Sequence, residues 1–351
     1  MAKTHESFGE LEQTEGTFVL KGVVTGVAKP NFYQEKNDKN GKPFRMVNFG
    51  IQVSKEWVHY LSLNGMTQEK VYFYSKDDKK TVSQDWKSRN SFRKEGYRLI
   101  GMNLGLEKTK DEKGNDVNDK QNLVPFDACE YINEHLKDGM SVFVRGKLEH
   151  SSFKNNSGEL QRSVKLIPNQ ISLCKNVNFE EEDFDPQSDF TQTFVFMDME
   201  MVKNGEEVLG ASVHGSIVNY NSIEQAEFFV RDSALGKNFR TLKPHTFIKV
   251  WGNIETERNT EEVASEDVWG SANSMEAVRS PYKKLFVLTG ADPKSIDREN
   301  YSESKMDKAL QAMKKAQSEK AEFTSQTTTN ASSQTEWGDN SPIEDEEETG
   351  W

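Results

Sequence analysis

The sequence predicts an all-β protein made of two successive runs of strands, followed by a short helix and a polar, acidic tail. Three observations carry this reading. First, residues 140–149 alternate with period two: Met140, Val142, Val144, Gly146 and Leu148 fall on one face, and Ser141, Phe143, Arg145, Lys147 and Glu149 on the other. That pattern marks a half-buried strand. Second, the segment Phe153-Lys154-Asn155-Asn156-Ser157-Gly158 has turn chemistry and leads into a further strand carrying Arg162 and Lys165. Third, only 34% of the 351 residues are hydrophobic and the mean hydropathy is -0.80, so compact cores share the chain with polar loops and tails.

The elements follow in order. Residues 1–15 form a polar N-terminal arm. Thr17–Ala28 reads as a first strand with glycines where it must bend. The turn signal Asn37–Gly41 leads into a strand over Pro43–Val53, with Val47, Phe49, Ile51 and Val53 on one face and Phe44, Met46 and Asn48 on the other. Glu69–Ser75 reads as the third strand, with Val71 and Phe73 inward and Tyr72 and Tyr74 outward. A hydrophilic insertion, residues 76–122, precedes a helix over 127–137, where Ala128, Ile132 and Leu136 recur every fourth position. The basic hairpin of 140–173 closes this run, and residues 176–190 form an acidic linker.

The second run is expected at Thr193–Met201, Glu207–Asn219, Ala226–Val230, Thr246–Glu255 and Tyr282–Thr289, with a short helix at Ala234–Leu242. Val142–Glu149 aligns with Ile248–Glu255, matching Val144 with Val250, Gly146 with Gly252 and Glu149 with Glu255. Each of these strands is preceded by a helix and followed by another strand, an order that points to a degenerate internal duplication. The expected divisions are therefore 16–175, 191–293, a helical segment over 294–323, and a disordered acidic tail over 324–351. In the helical segment, Met306, Ala309, Leu310 and Met313 have helical spacing.

Charge separates the two halves. The chain carries a net charge of -12. Residues 16–175 hold 27 Lys+Arg against 19 Asp+Glu, a net of +8, whereas residues 176–351 hold 17 against 34, a net of -17. A basic first half suits a polyanion, and an acidic second half can imitate one. Cys129 and Cys174 sit in apolar contexts and are expected to be reduced and buried. No apolar run reaches the roughly 18 residues of a membrane span, and the N-terminus is too polar for a signal peptide. A cytoplasmic protein is expected.

Single-stranded nucleic acid is held by cations that follow the phosphates and by aromatic faces on which bases stack. The first half supplies both. Candidate stacking rings are Phe44, Tyr72, Tyr74 and Phe143 on strands, with Phe32, Tyr33 and Phe153 in loops. Candidate cations are Lys42, Arg45, Arg145, Lys147, Lys154, Arg162 and Lys165. The insertion adds Lys87, Arg89 and Arg93, interleaved with Trp86, Phe92 and Tyr97. Rings that turn inward would instead fill the core. The second run, residues 191–293, holds 10 Lys+Arg against 15 Asp+Glu and an acidic loop over 258–280, which would repel phosphate. It reads as a protein-interaction module.

Catalysis finds little support. The six histidines are scattered, and HExxH, CxxC, P-loop and GxSxG patterns are all missing from the sequence. Neither cofactor nor metal is expected, and the protein is not expected to be an enzyme.

Strands, one short helix and then a long basic hairpin is the chain order of the closing half of an OB-fold barrel. It resembles single-stranded DNA-binding proteins of the bacterial and phage type. The terminal segment Asn340-Ser341-Pro342-Ile343-Glu344-Asp345-Glu346-Glu347-Glu348-Thr349-Gly350-Trp351 resembles that family's acidic tail with its final aromatic. A duplicated barrel, a large insertion and an ending in Thr-Gly-Trp depart from the usual bacterial pattern and resemble the helix-destabilising proteins of tailed phages. The resemblance implies two OB-fold barrels in tandem, the second degenerate. It also implies sequence-independent single-stranded DNA binding in DNA replication, recombination and repair, in the host cytoplasm if the chain is phage-encoded. Ile343, Glu344, Asp345, Glu346, Glu347, Glu348 and Trp351 would recruit a polymerase or helicase. Two other readings stay open at this point: an OB-fold interaction scaffold of a replication complex, and a single-stranded RNA binder.

Overall fold

The computed structural model describes residues 11–38, 40–154, 160–181, 184–258 and 282–315. The acidic loop of the second half and the acidic tail lie outside them. The first run of strands comprises β1 (Gly16–Thr25), β2 (Tyr33–Asn37), β3 (Pro43–Gln52) and β4 (Val58–Met66). An excursion follows, with β5 (Lys70–Ser75), β6 (Lys80–Asp85), a 3-10 turn at Trp86–Ser88, and β7 (Tyr97–Leu99). It continues through β8 (Met102–Gly105), β9 (Lys108–Lys110), β10 (Asp116–Asn118) and β11 (Gln121–Leu123). Helix α1 (Pro125–His135) leads to a hairpin of β12 (Ser141–Lys154) and β13 (Leu160–Leu173). The second run holds β14 (Gln187–Asn204), β15 (Glu207–Val218), β16 (Ile223–Val230), helix α2 (Ser233–Arg240), β17 (Thr246–Arg258) and β18 (Tyr282–Asp297). A last helix, α3, spans 303–315.

The expected all-β character holds, and the strand pairings in each run close on themselves. In the first run β1 pairs with β3, β3 with β4, β13 with β12 and β12 with β1, all antiparallel, and a parallel contact of Leu166 with Leu61 joins β13 to β4. The second run repeats this circuit as β14–β15–β16–β18–β17–β14, with the parallel contact at Phe229 and Val287. The sequence alignment of the fourth strands meets this repetition directly. Gly146 sits at a register shift between β12 and β13, and Gly252 at one between β17 and β18. A Cβ at Gly146 would overlap the Ile167 carbonyl, and one at Gly252 the Val287 carbonyl. Close backbone approach at the same bend explains why both positions are glycine.

One apolar cluster runs through both rings. Phe18, Leu20, Val47, Phe49, Ile51, Leu61, Val142 and Val144 fill the first ring. Phe194, Val213, Phe228, Val250, Ile254 and Leu288 fill the second. The rings meet where β1 pairs antiparallel with β14, which places Phe18 opposite Phe190. The Phe190 ring lies 5.1 Å from that of Phe286 and 6.1 Å from that of Phe228. A smaller cluster joins the first and last described segments: Met306 and Ala309 of α3 pack with Leu11, Val195, Val218 and Tyr301. The arm is thus tied down from Leu11 onward, and Thr14 N donates to Val218 O at 2.9 Å.

Several sequence expectations are corrected. The third strand of the first ring is β4, which the sequence reading passed over. The strand expected over Glu69–Ser75 is β5, with the expected faces, but it belongs to a separate sheet of β6, β5 and β7. Residues 70–99 therefore form a folded excursion packed through Val71, Phe73, Val124 and Phe126, whereas β8 pairs with β13 and β11 with β8, so this later part of the insertion joins the sheet of the first ring. Helix α1 begins at Pro125, before the expected 127. Residues 187–190, expected in the linker, open β14.

The ring junction also buries polar groups. Ser188 Oγ donates to Ile254 O at 2.8 Å and lies 2.8 Å from His59 Nε2. Lys284 Nζ donates to Val164 O at 3.2 Å, and burial pushes its ammonium down to about 8. His59 Nδ1 and His150 Nε2 have no partner among the described residues. Burial pushes both imidazoles down to about 4, so the folded protein holds them neutral. The unfolded chain takes up these protons near pH 6.5, and the folded chain resists doing so. The stability from each neutral histidine is therefore complete above about pH 6.5 and lost as pH falls towards 4. At pH 5 the loss is about 2 kcal/mol per histidine. Urea midpoints taken from pH 7.5 to 5 should fall accordingly, and a His59→Leu, His150→Leu variant should flatten the curve. A wild-type midpoint constant over that range would contradict this account.

Candidate nucleic-acid interface

The alternation that turns Val47, Phe49 and Ile51 into the first ring turns their neighbours outward. Cross-strand pairs then assemble rows on the outer face of β2, β3 and β4. Lys36, Phe44 and Met66 form one row, and Gln34, Met46 and Asn64 the next. Tyr60 lies opposite Gly50, is 57% exposed, and has the Lys29 ammonium 5.6 Å from its ring centroid. Lys42 is exposed at the start of the same face, and Phe44 is half-buried. An open ring beside a cation is what base stacking and phosphate contact require.

The outer face of β12 and β13 continues the pattern. Phe143 pairs across to Lys21 on one side and Ser172 on the other, and Arg145 pairs to Val19 and Gln170. The Arg145 guanidinium stands 5.1 Å from the Phe143 ring centroid. Lys147 and Lys165 are exposed on the same hairpin, and Phe153 near its tip is 56% exposed. The side chain of Lys154 and residues 155–159 lie outside the described residues. Arg162 is used differently: its guanidinium bonds Gln225 of β16 and so ties the hairpin to the second ring. Asn219 Nδ2 does the same by donating to His150 O at 3.1 Å.

The remaining candidates divide. Tyr72 and Tyr74 are exposed, at 48% and 39%, but lie on the excursion sheet, with Arg98 across from Tyr74. Lys87 and Arg93 are exposed there as well. Four expectations are corrected. Phe32 is buried in the core of the first ring, where its ring offers no face to a base. Arg45 shares parity with Val47, so it turns towards α1, where it pairs with Glu35 at 3.1 Å and Glu130 at 2.9 Å above the Phe126 ring. Tyr33 is half-buried and donates to Glu35 Oε2 at 2.9 Å; burial, with that carboxylate, pushes its hydroxyl up to about 12. Arg89 is held by Asp127 at 2.7 Å and 3.1 Å and lies over Trp86, so it pins the excursion to α1. These two arginines are structural cations, with their charge already compensated.

Sequence reading missed Tyr60, Lys21, Lys29 and Lys36. The signal was present for Tyr60, whose neighbours Leu61 and Leu63 mark the buried face. The corresponding strands of the second ring are poorer in exposed cations. Ser212 Oγ donates to Glu227 at 2.7 Å and His214 Nδ1 meets Asp198 at 2.5 Å, so the polar groups there bind each other. Among the described residues no three His, Cys, Asp or Glu side chains converge as a metal site, and no helix is long and apolar enough to cross a membrane.

Mostly-β, with two rings of like connectivity and one outer face rich in rings and cations, is the class this geometry defines. A model of the YorF family matches residues 18–325, and the chain belongs to that family. Curated proteins gave no match. Among solved structures, the wild-type single-stranded DNA binding protein from Thermus aquaticus is similar at 11% identity and a TM-score of 0.41, over 79% of this chain and 91% of that one. A deletion mutant of the same protein gives 10% and 0.39, over 80% and 94%. The mitochondrial single-stranded DNA binding protein Rim1 from S. cerevisiae gives 10% and 0.23, over 46% and 96%.

Proposed function

We propose that this chain binds single-stranded DNA without sequence preference, on the outer face of its first ring. The observation that carries the reading is the pairing of outward-facing rings with adjacent cations, the exposed Tyr60 with Lys29 and the half-buried Phe143 with Arg145. Each pair offers a π-face to a base and a positive charge to the neighbouring phosphate. Each closed circuit is then an OB-type barrel, the two standing in tandem over 16–175 and 191–293. The first carries the strand and the second serves for protein contact. The role is protection and melting of single strands in replication, recombination and repair. The acidic end, from Ile343 through Glu344, Asp345, Glu346, Glu347 and Glu348 to Trp351, recruits a polymerase or helicase.

Fluorescence titration of the full chain with oligo-dT tests the central reading. Tyr60→Ala and Phe143→Ala should each weaken binding by about 1–3 kcal/mol. Tyr60→Ala should leave the unfolding midpoint in place because its ring is exposed, whereas affinity for Phe143→Ala is compared per folded molecule because its ring is half-buried. Affinity should fall steeply as salt rises, through counterion release. Wild-type protein that binds no oligo-dT at low salt would defeat the proposal.

A second prediction concerns the acidic end. Residues 336–351 carry seven carboxylates and no cation. A tethered segment of that charge competes with phosphate at an effective concentration on the order of millimolar. Removing 336–351 should tighten oligo-dT binding at low salt, with the gain shrinking as ionic strength rises. Equal affinity with and without the segment would leave it no part in the DNA site.

A further inference from the structure

The excursion and the first ring enclose a cleft of about 1040 Å³ that no part of the outer-face reading uses. It lies at the upper end of the volumes typical of ligand pockets, so it has room for a short run of nucleotides. Four of its lining cations, Arg93, Lys94, Arg98 and Lys120, have no carboxylate at ion-pair distance among the described residues. Glu95 is the single carboxylate in the lining. Phe92 and Tyr97 form an aromatic wall, and the Lys94 ammonium stands 4.2 Å from the Tyr97 ring centroid.

The walls are fixed in place. The Arg89–Asp127 pair clamps the excursion to α1, and Phe92 is backed by Phe73 at 4.5 Å between centroids. Asn122 Nδ2 donates to Leu99 O at 3.0 Å, and Ile100 N donates to Tyr72 O at 2.8 Å. A cavity whose sides are tied in this way is formed before any ligand arrives, which lowers the ordering cost of binding. The cleft also opens onto the outer face already described. Gln170 and Ser172 line it, and these two residues are the cross-strand neighbours of Arg145 and Phe143. Asn103, the next residue across from Gln170, lines it too.

We propose that this cleft is a second anchoring subsite for the same single strand. The strand passes over Phe143 and Arg145, crosses Gln170 and Ser172, and enters the cleft. There Lys94, Arg98 and Lys120 meet its phosphates, and Phe92 and Tyr97 take its bases. The excursion thereby lengthens the binding site beyond what one ring's face can hold. This rests on the single-strand reading above, and the test separates the two.

The test uses the full chain with Lys94→Ala, Arg98→Ala and Lys120→Ala combined, all three residues being exposed. Two oligo-dT lengths are titrated: about 8 nucleotides, within the span of one ring, and about 30, long enough for both. For the long oligomer, affinity should fall about 10-fold at low salt. The slope of log K against log salt should become shallower by about 2, since three single-strand phosphate contacts each contribute roughly 0.7. The short oligomer should bind as to wild type. The charge-preserving variant Lys94→Arg, Arg98→Lys, Lys120→Arg should restore long-oligomer binding and so exclude a folding defect. Unchanged affinity at both lengths would overturn the subsite while leaving the ring-face reading intact. Equal loss at both lengths would also overturn it, because the cations would then act on the ring face. Tighter long-oligomer binding would overturn it in favour of the chain's own acidic end as occupant. Wild-type protein that binds neither length would sink both readings together.

Discussion

The pairing of β1 with β14 is the contact on which the rest of the structure depends. It sets Phe18 against Phe190 and merges two rings into one apolar cluster. β1 must also pair with β12 and, further along, with β3. A strand that is shared in this way leaves its inner side chains no choice but the core, and period-two geometry then sends their neighbours outward. Slipping β1 by one residue would exchange Phe18 and Leu20 for Thr17 and Val19. The surface that carries Lys21, Phe143 and Arg145 is thus set by the same register that fills the core.

The two rings differ in charge and are tied to each other by specific polar contacts. The long hairpin of the first ring reaches the second through Arg162, Asn219 and Lys284, which spend their polar groups on Gln225 and on main-chain carbonyls. Arg45 and Arg89 are likewise consumed in holding α1 against β3 and against the excursion. What remains exposed on the first ring is a smaller set of cations than composition suggests, with Lys29 and Arg145 each beside an aromatic ring. A net charge therefore overstates the proposed binding surface, and the geometry of the residual cations delimits that proposal better.

The sequence made much of this legible, and its failures have physical causes. Val47, Phe49, Ile51 and Val53 read correctly because the buried positions are all apolar. β4 was hidden because its inner positions include His59 and Gly65, while its outer ones include Tyr60 and Met66, which inverts the expected pattern. Arg45 was misplaced because its charge outweighed its parity with Val47; Glu130, which compensates it, comes from a helix 85 residues away. Phe32 lay in a stretch rich in turn residues, and nothing local announced its burial. Glu69–Ser75 had the right faces in the wrong sheet, since alternation reports burial and not the identity of the partner strand. The repeated connectivity was legible at Gly146 and Gly252 because a close backbone approach tolerates no side chain.

Photo-crosslinking of the full chain to oligo-dT, followed by mass-spectrometric mapping of the modified peptides, tests the central claim most directly. The account places the crosslinks on β3, β4 and β12, with Tyr60 and Phe143 among the modified residues. Crosslinks confined to β14–β18, on folded protein, would contradict it.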